Sequence, residues 1–125
     1  FDVGKAINPE LVKCQIEGGF IQGMSSAMFE EMKLVNGVMK NPSFVDYRIA
    51  TTSDLPKENI ALFVETAQDD GPWGARGIGE HPMTPTIGDL ANAIYDAVGV
   101  RIQYLPITPE KILRALERKG KGEKP

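Results

Sequence analysis

A chain of 125 residues with 42% hydrophobic composition can bury a core but is short for a cofactor-dependent enzyme, so it constitutes one domain or a piece of one. Its 14 basic and 17 acidic residues leave a formal charge of −3, and the basic cluster is confined to Glu117–Pro125, which argues against nucleic acid as the main partner. A single cysteine, Cys14, excludes an internal disulfide, and no apolar run approaches the ~18 residues of a membrane span, so a soluble cytoplasmic chain is expected.

The chain opens on Phe1 rather than Met and directly on structured-looking sequence, as an excised or C-terminal portion of something longer would. Residues Phe1–Pro9 read as the end of a strand and a turn, broken at Asn8-Pro9. A helix is predicted from Pro9 to about Met32, with Ile16, Phe20, Met24, Ala27 and Met28 as its apolar stripe. Gln15, Gly18, Gly19, Gln22, Gly23 and Ser26 form a second stripe of small or amide-bearing residues. Three interior glycines forgo roughly 3 kcal/mol of helix propensity, so something must offset the loss. Either another backbone packs closely there, or a rigid ligand lies on that face with Gln15 or Gln22 bonded to it.

Asn36-Gly37 between short apolar runs predicts a hairpin over Glu30–Lys40, closed by Asn41-Pro42. Ser43–Pro56 lacks periodicity and reads as an extended connection. Ile60–Thr66 is a candidate buried strand. Past Pro82 a helix is predicted over Thr86–Val98 with Gly99 as its C-cap, then a short strand over Arg101–Leu105. A last helix opens on Thr108 as N-cap with Pro109 in its first turn and runs to about Lys119. The fold class expected is α+β, about three helices with short strands, over residues 1–116, followed by a basic disordered tail over 117–125.

Between the strand and the second helix lies Gly71–Pro82, GPWGARGIGEHP, with four glycines and two prolines in twelve residues. Such a loop is neither helix nor interior strand. Gly74, Gly77 and Gly79 are expected to leave N–H groups free to face a ligand, and Glu80 follows them just ahead of a helix N-terminus, where anionic groups are favoured. The alternative reading is a simple capping arrangement. Trp73, Ile78 and Met83 are candidate apolar walls, His81 a pocket or capping residue, Arg76 an anion partner or a solvated charge, and Cys14 a small packed residue. Arg48 is expected to pair with an acidic neighbour.

Asp2-Val-Gly-Lys-Ala-Ile-Asn-Pro, Gln15-Ile-Glu-Gly-Gly-Phe-Ile-Gln-Gly, Asp46-Tyr-Arg-Ile, Gly74-Ala-Arg-Gly-Ile-Gly-Glu, Ala91-Asn-Ala-Ile-Tyr-Asp-Ala-Val-Gly-Val-Arg and Thr108-Pro-Glu-Lys-Ile-Leu occur in one order and spacing. Together they resemble the C-terminal part of the molybdopterin-binding subunit of the xanthine dehydrogenase/aldehyde oxidase family of molybdenum hydroxylases. The resemblance implies the last part of that subunit's second molybdopterin-binding domain. It also implies a molybdenum held through a pterin dithiolene with no direct protein ligand, the cytosine dinucleotide form of the cofactor being one option. The implied reaction hydroxylates a carbon of an aldehyde or N-heterocycle with oxygen from water. Glu80 would be the general base, removing the proton of the molybdenum-bound hydroxide, and burial in a closed pocket would raise its pKa toward working pH. Gln15, Gly18, Gly19, Gly77, Ile78 and Gly79 would contact the cofactor. The implied partners are the rest of the molybdenum subunit and iron–sulfur (2Fe-2S) and FAD domains or subunits. One departure from the family pattern is His81 between the glutamate and Pro82. A second reading keeps the scaffold as a non-catalytic assembly domain, and a third, a nucleotide-binding module, lacks the expected glycine signatures.

Overall fold

A computed structural model describes residues 1–122. It contains helix α1 (Pro9–Met28), a two-stranded hairpin β1 (Leu34–Val35) and β2 (Val38–Met39), helix α2 (Met83–Val98) and helix α3 (Pro109–Gly120), with 3-10 turns at Thr52–Asp54 and Pro72–Gly74. This is an α+β arrangement in which α1 and α2 pack on each other and long loops fold back on them.

Asn8 starts α1 rather than merely breaking the chain: its Oδ1 accepts the Leu11 N–H at 3.1 Å, and Pro9 takes the first turn, where a missing N–H costs nothing. The helix ends at Met28, four residues short of expectation, where the Phe29 and Glu30 N–H groups both turn to Ser25 O. What stops it is Asn41. This buried side chain donates to Glu31 O at 2.7 Å and accepts from Lys33 N at 2.9 Å, which takes those backbone groups out of any helix. The hairpin then forms as predicted, with Leu34 opposite Met39 and Val35 opposite Val38. Asn36 and Gly37 both have positive φ, 51° and 74°, the turn that matches strand twist.

The glycines of α1 divide. A Cβ on Gly19 would stand 2.8 Å from Pro82 Cβ, and one on Gly23 would stand 2.8 Å from both Met83 O and Thr86 Cβ, whereas Gly18 has nothing within 4 Å. Close approach of α2 is therefore what offsets the propensity lost at Gly19 and Gly23. Thr86 is buried in this contact, and its hydroxyl donates to Pro82 O at 3.0 Å. Beside it, Val3, Val12 and Ile16 form a core on which Ala6, Ala61, Phe63 and Ile78 pack.

Four expectations change. Ile60–Thr66 is not a buried strand: only Val64 bridges, in parallel to Asp2, while Ile60, Leu62 and Val64 face outward. Arg101–Leu105 forms no strand among the described residues and bends at Tyr104 and Leu105. Helix α2 begins at Met83, because the Glu80 and His81 carbonyls accept the Met83 and Thr84 N–H groups. The tail expected from Glu117 is helical through Gly120, and Glu123–Pro125 lie outside the described residues. Gly99 caps α2 with φ 67°, and Thr108 Oγ1 caps α3 by accepting from Lys111 N at 3.3 Å, both as expected.

Candidate functional site

The site is assembled from the outward stripe of α1 and the loop before α2. Gln15, Gly18 and Gln22 follow one another at i, i+3 and i+7, so they lie along one side of α1, and all three are exposed. Across from them the loop is pinned by its first half. Gly74 O accepts from Lys5 N at 2.7 Å and Gln68 N at 3.1 Å, and Arg76 N donates to Val3 O at 2.9 Å. Gly4, with φ 61°, must be glycine because a Cβ there would collide with Gly74 O.

An ion pair secures the same junction. Arg76 Nη1 lies 3.0 Å from Asp2 Oδ2, and Asp2 Oδ1 accepts from Gly4 N at 2.9 Å and Thr66 N at 3.2 Å. The Gly4 N–H, the Thr66 N–H and the Arg76 guanidinium together hold the Asp2 carboxyl below the usual aspartate range, against the opposing effect of partial burial. Two roles were weighed for Arg76, partner of an anionic ligand and solvated charge; in the structure its guanidinium pairs instead with Asp2 of this chain.

Beyond Arg76 the loop leaves a run of donors unpaired. The N–H groups of Gly77, Ile78, Gly79 and Glu80 meet no acceptor among the described residues. Gly77 and Gly79 have open space where a Cβ would stand, and Ile78 is buried enough against the Val3, Val12 and Ile16 cluster to hold the loop in place. Gly74, also expected to offer a free N–H, instead donates to Gly71 O at 3.0 Å, because it closes the 3-10 turn. Glu80 ends the row of donors. Its Oε1 accepts from Gln22 Nε2 at 3.4 Å, while its carbonyl accepts the Met83 N–H at 2.9 Å and so joins the loop to α2.

Gln15 and Ile78 meet at a groove of about 390 Å³ between α1 and the loop, with Lys5, Asn8 and Arg76 on its rim. Gly19 is the exception within the predicted set: Pro82 of this chain covers the face on which a flat ligand was expected, leaving Gly18 and the two glutamines open. Glu80 is also exposed rather than enclosed, since the described residues supply no closed pocket around it. Trp73 is 83% exposed and stands away from any wall with Ile78. His81 packs edge-on against Phe1, ring centroids 5.5 Å apart. Cys14 is exposed, not packed, because it falls on the outer side of α1. Arg48 has no carboxylate within ion-pair distance among the described residues; Tyr47 donates instead, to Glu30 Oε2 at 2.8 Å.

Two functional contacts went unpredicted. The Gln22–Glu80 pairing joins residues far apart in sequence, and only the seven-residue step from Gln15 hinted that Gln22 shares its face. The Asp2–Arg76 pair carried no sequence signal at all. Four unpaired N–H groups, two primary amides and an open glycine form a donor-rich surface that fits a ligand carrying phosphate, oxo or ring-nitrogen acceptors. Among the described residues no helix is long and apolar enough to cross a membrane.

The profile of a molybdopterin cofactor-binding domain matches residues 1–56. The chain is 36% identical over 121 residues to the xanthine dehydrogenase molybdenum-binding subunit of Escherichia coli O157:H7, covering 95% of this chain and 16% of that subunit. Among solved structures it superposes with TM-score 0.84 on aldehyde oxidoreductase from Desulfovibrio gigas, at 35% identity over 93% of this chain and 12% of that one. It superposes with TM-score 0.83 on quinoline 2-oxidoreductase from Pseudomonas putida 86, at 33% identity over 93% of this chain and 15% of that one. The chain belongs to the molybdenum-binding subunits of the xanthine dehydrogenase/aldehyde oxidase family. It spans only 12% to 16% of the length of these relatives.

Proposed function

We propose that this chain contributes the general base and part of the cofactor cradle to a molybdenum hydroxylase acting on an aldehyde or an N-heterocycle. Residues 1–116 form the C-terminal segment of the second molybdopterin-binding domain in this reading. The observation that carries it is Glu80, a carboxylate at the end of four unpaired N–H groups, with the Gln22 amide donating to its Oε1.

The chain's own residues divide the work. Gln15, Gly18, Gly77, Ile78 and Gly79 would hold the molybdopterin-type cofactor, the Gln15 amide and the loop N–H groups as donors and Gly18 by leaving its side of α1 open. Gly19 supports from beneath by seating Pro82. When bound, the cofactor accepts the two electrons of the oxidation. Glu80 takes the proton that must leave as water's oxygen is transferred, and Gln22 orients the carboxylate through one of its two oxygens, leaving the other free for the proton. The rest of the subunit closes the site over Glu80 and excludes bulk water from it. The cytosine dinucleotide form of the cofactor, 2Fe-2S and FAD partners and a cytoplasmic location complete this reading.

Glu80→Gln in the complete assembly tests it. The amide keeps the shape and removes the base, so turnover is expected to fall by at least about 10³-fold with molybdenum content and fold unchanged. Near-normal turnover would remove Glu80 as the base, and an assembly without molybdenum would leave only a scaffold role.

A further inference from the structure

The segment Ile60–Thr66 has two different edges. On one, the even-numbered residues pair with the N-terminus: Val64 N donates to Phe1 O at 2.7 Å, Val64 O accepts from Val3 N at 3.0 Å, Leu62 O accepts from the Phe1 amino group, and Thr66 N donates to Asp2. In extended chain the N–H and C=O groups of the intervening residues point the opposite way. Those belong to Ala61, Phe63 and Glu65, and none of their backbone groups donates or accepts among the described residues. The side chains alternate as well. Ala61 and Phe63 turn onto the Val3, Val12 and Ile16 core, while Ile60, Leu62 and Val64 are 75%, 74% and 61% exposed.

A row of unpaired backbone groups beside an apolar outer face is a template for strand addition. We infer that Ile60–Thr66 is an incomplete sheet strand whose Ala61/Phe63/Glu65 edge is paired by an extended segment from the remainder of a molybdenum-binding subunit. That occupant is favoured over a second copy because this chain accounts for 16% of its relative's length, so most of such a subunit lies outside it. The incoming segment alternates apolar residues, which cover Ile60, Leu62 and Val64. The inference rests on the family alone and stands independently of any role for Glu80.

The test is amide-resolved hydrogen exchange on the assembly purified from the native host through a tag on this chain. The Ala61, Phe63 and Glu65 amides are expected to exchange about 100-fold or more slowly than free-chain rates. In the same preparation Leu62→Lys, which places a charge on the outer face, is expected to return those three amides to free-chain rates and to leave Val64, bonded inward, protected. Free-chain rates in the wild-type assembly would overturn the inference. So would protection that arises in the isolated chain and grows with its concentration, since the occupant would then be a second copy. Retained protection in Leu62→Lys would also overturn it.

Discussion

Gly18 and Gly23 differ by five positions in one helix, yet alanine should act on them with opposite sign. Both substitutions gain about 1 kcal/mol of helix propensity. At Gly18 nothing lies within 4 Å of the new methyl, so the gain stands. At Gly23 the methyl would sit 2.8 Å from Met83 O and Thr86 Cβ, one a backbone atom and the other β-branched, and neither can swing aside. Restoring ordinary contact requires α2 to retreat by about 0.6 Å at its first turn, an overpacking cost of about 1–3 kcal/mol. Because the propensity gain is common to both, the gap between the two variants isolates that cost. Urea unfolding followed by far-UV circular dichroism should show Gly18→Ala above the parent and Gly23→Ala about 1–3 kcal/mol below Gly18→Ala at an unchanged slope. Equal stabilities would refute close α1–α2 packing as the reason for glycine at position 23.

Gln22→Leu removes the amide that meets Glu80 without touching the helix contacts, so kcat of the full assembly should fall about 3- to 30-fold with KM little changed, as expected for a positioning residue; unchanged kcat would deny it that role. Asn41→Ala leaves Glu31 O and Lys33 N without their partner and should cost about 1–3 kcal/mol, measured by chemical unfolding, with loss of the hairpin's amide protection. Asp2 has its pKa lowered by the fold, so its contribution is complete above the ordinary aspartate value and is lost as pH falls through the lower, folded one. Stability below about pH 4 should therefore drop more steeply for the parent than for Asp2→Asn, which cannot titrate; parallel pH profiles would refute the linkage.

Much of the secondary structure was legible because its causes are local. Asn8-Pro9 and Thr108-Pro109 start helices with a side-chain acceptor and a residue that needs no donor, Gly99 ends one at positive φ, and Asn36-Gly37 turns the hairpin. Where local signals failed, a distant partner had intervened. Asn41 ended α1 early by capturing the backbone ten residues upstream, and Ile60–Thr66, apolar enough for a buried strand, has only one side covered.

The candidate site divides along the same line. Its chemistry was written in adjacent residues, since a Gly-rich run ending in Glu80 and a Gln- and Gly-bearing helix face are contiguous patterns that local sequence specifies. Which glycines face a ligand was not, because Gly18, Gly19 and Gly23 are chemically identical and differ only in whether α2 lies over them. Only the tertiary structure could pair Gln22 with Glu80, 58 positions apart, and tie Arg76 to the still more distant Asp2, because side chains that far apart in sequence meet only once the intervening chain has folded.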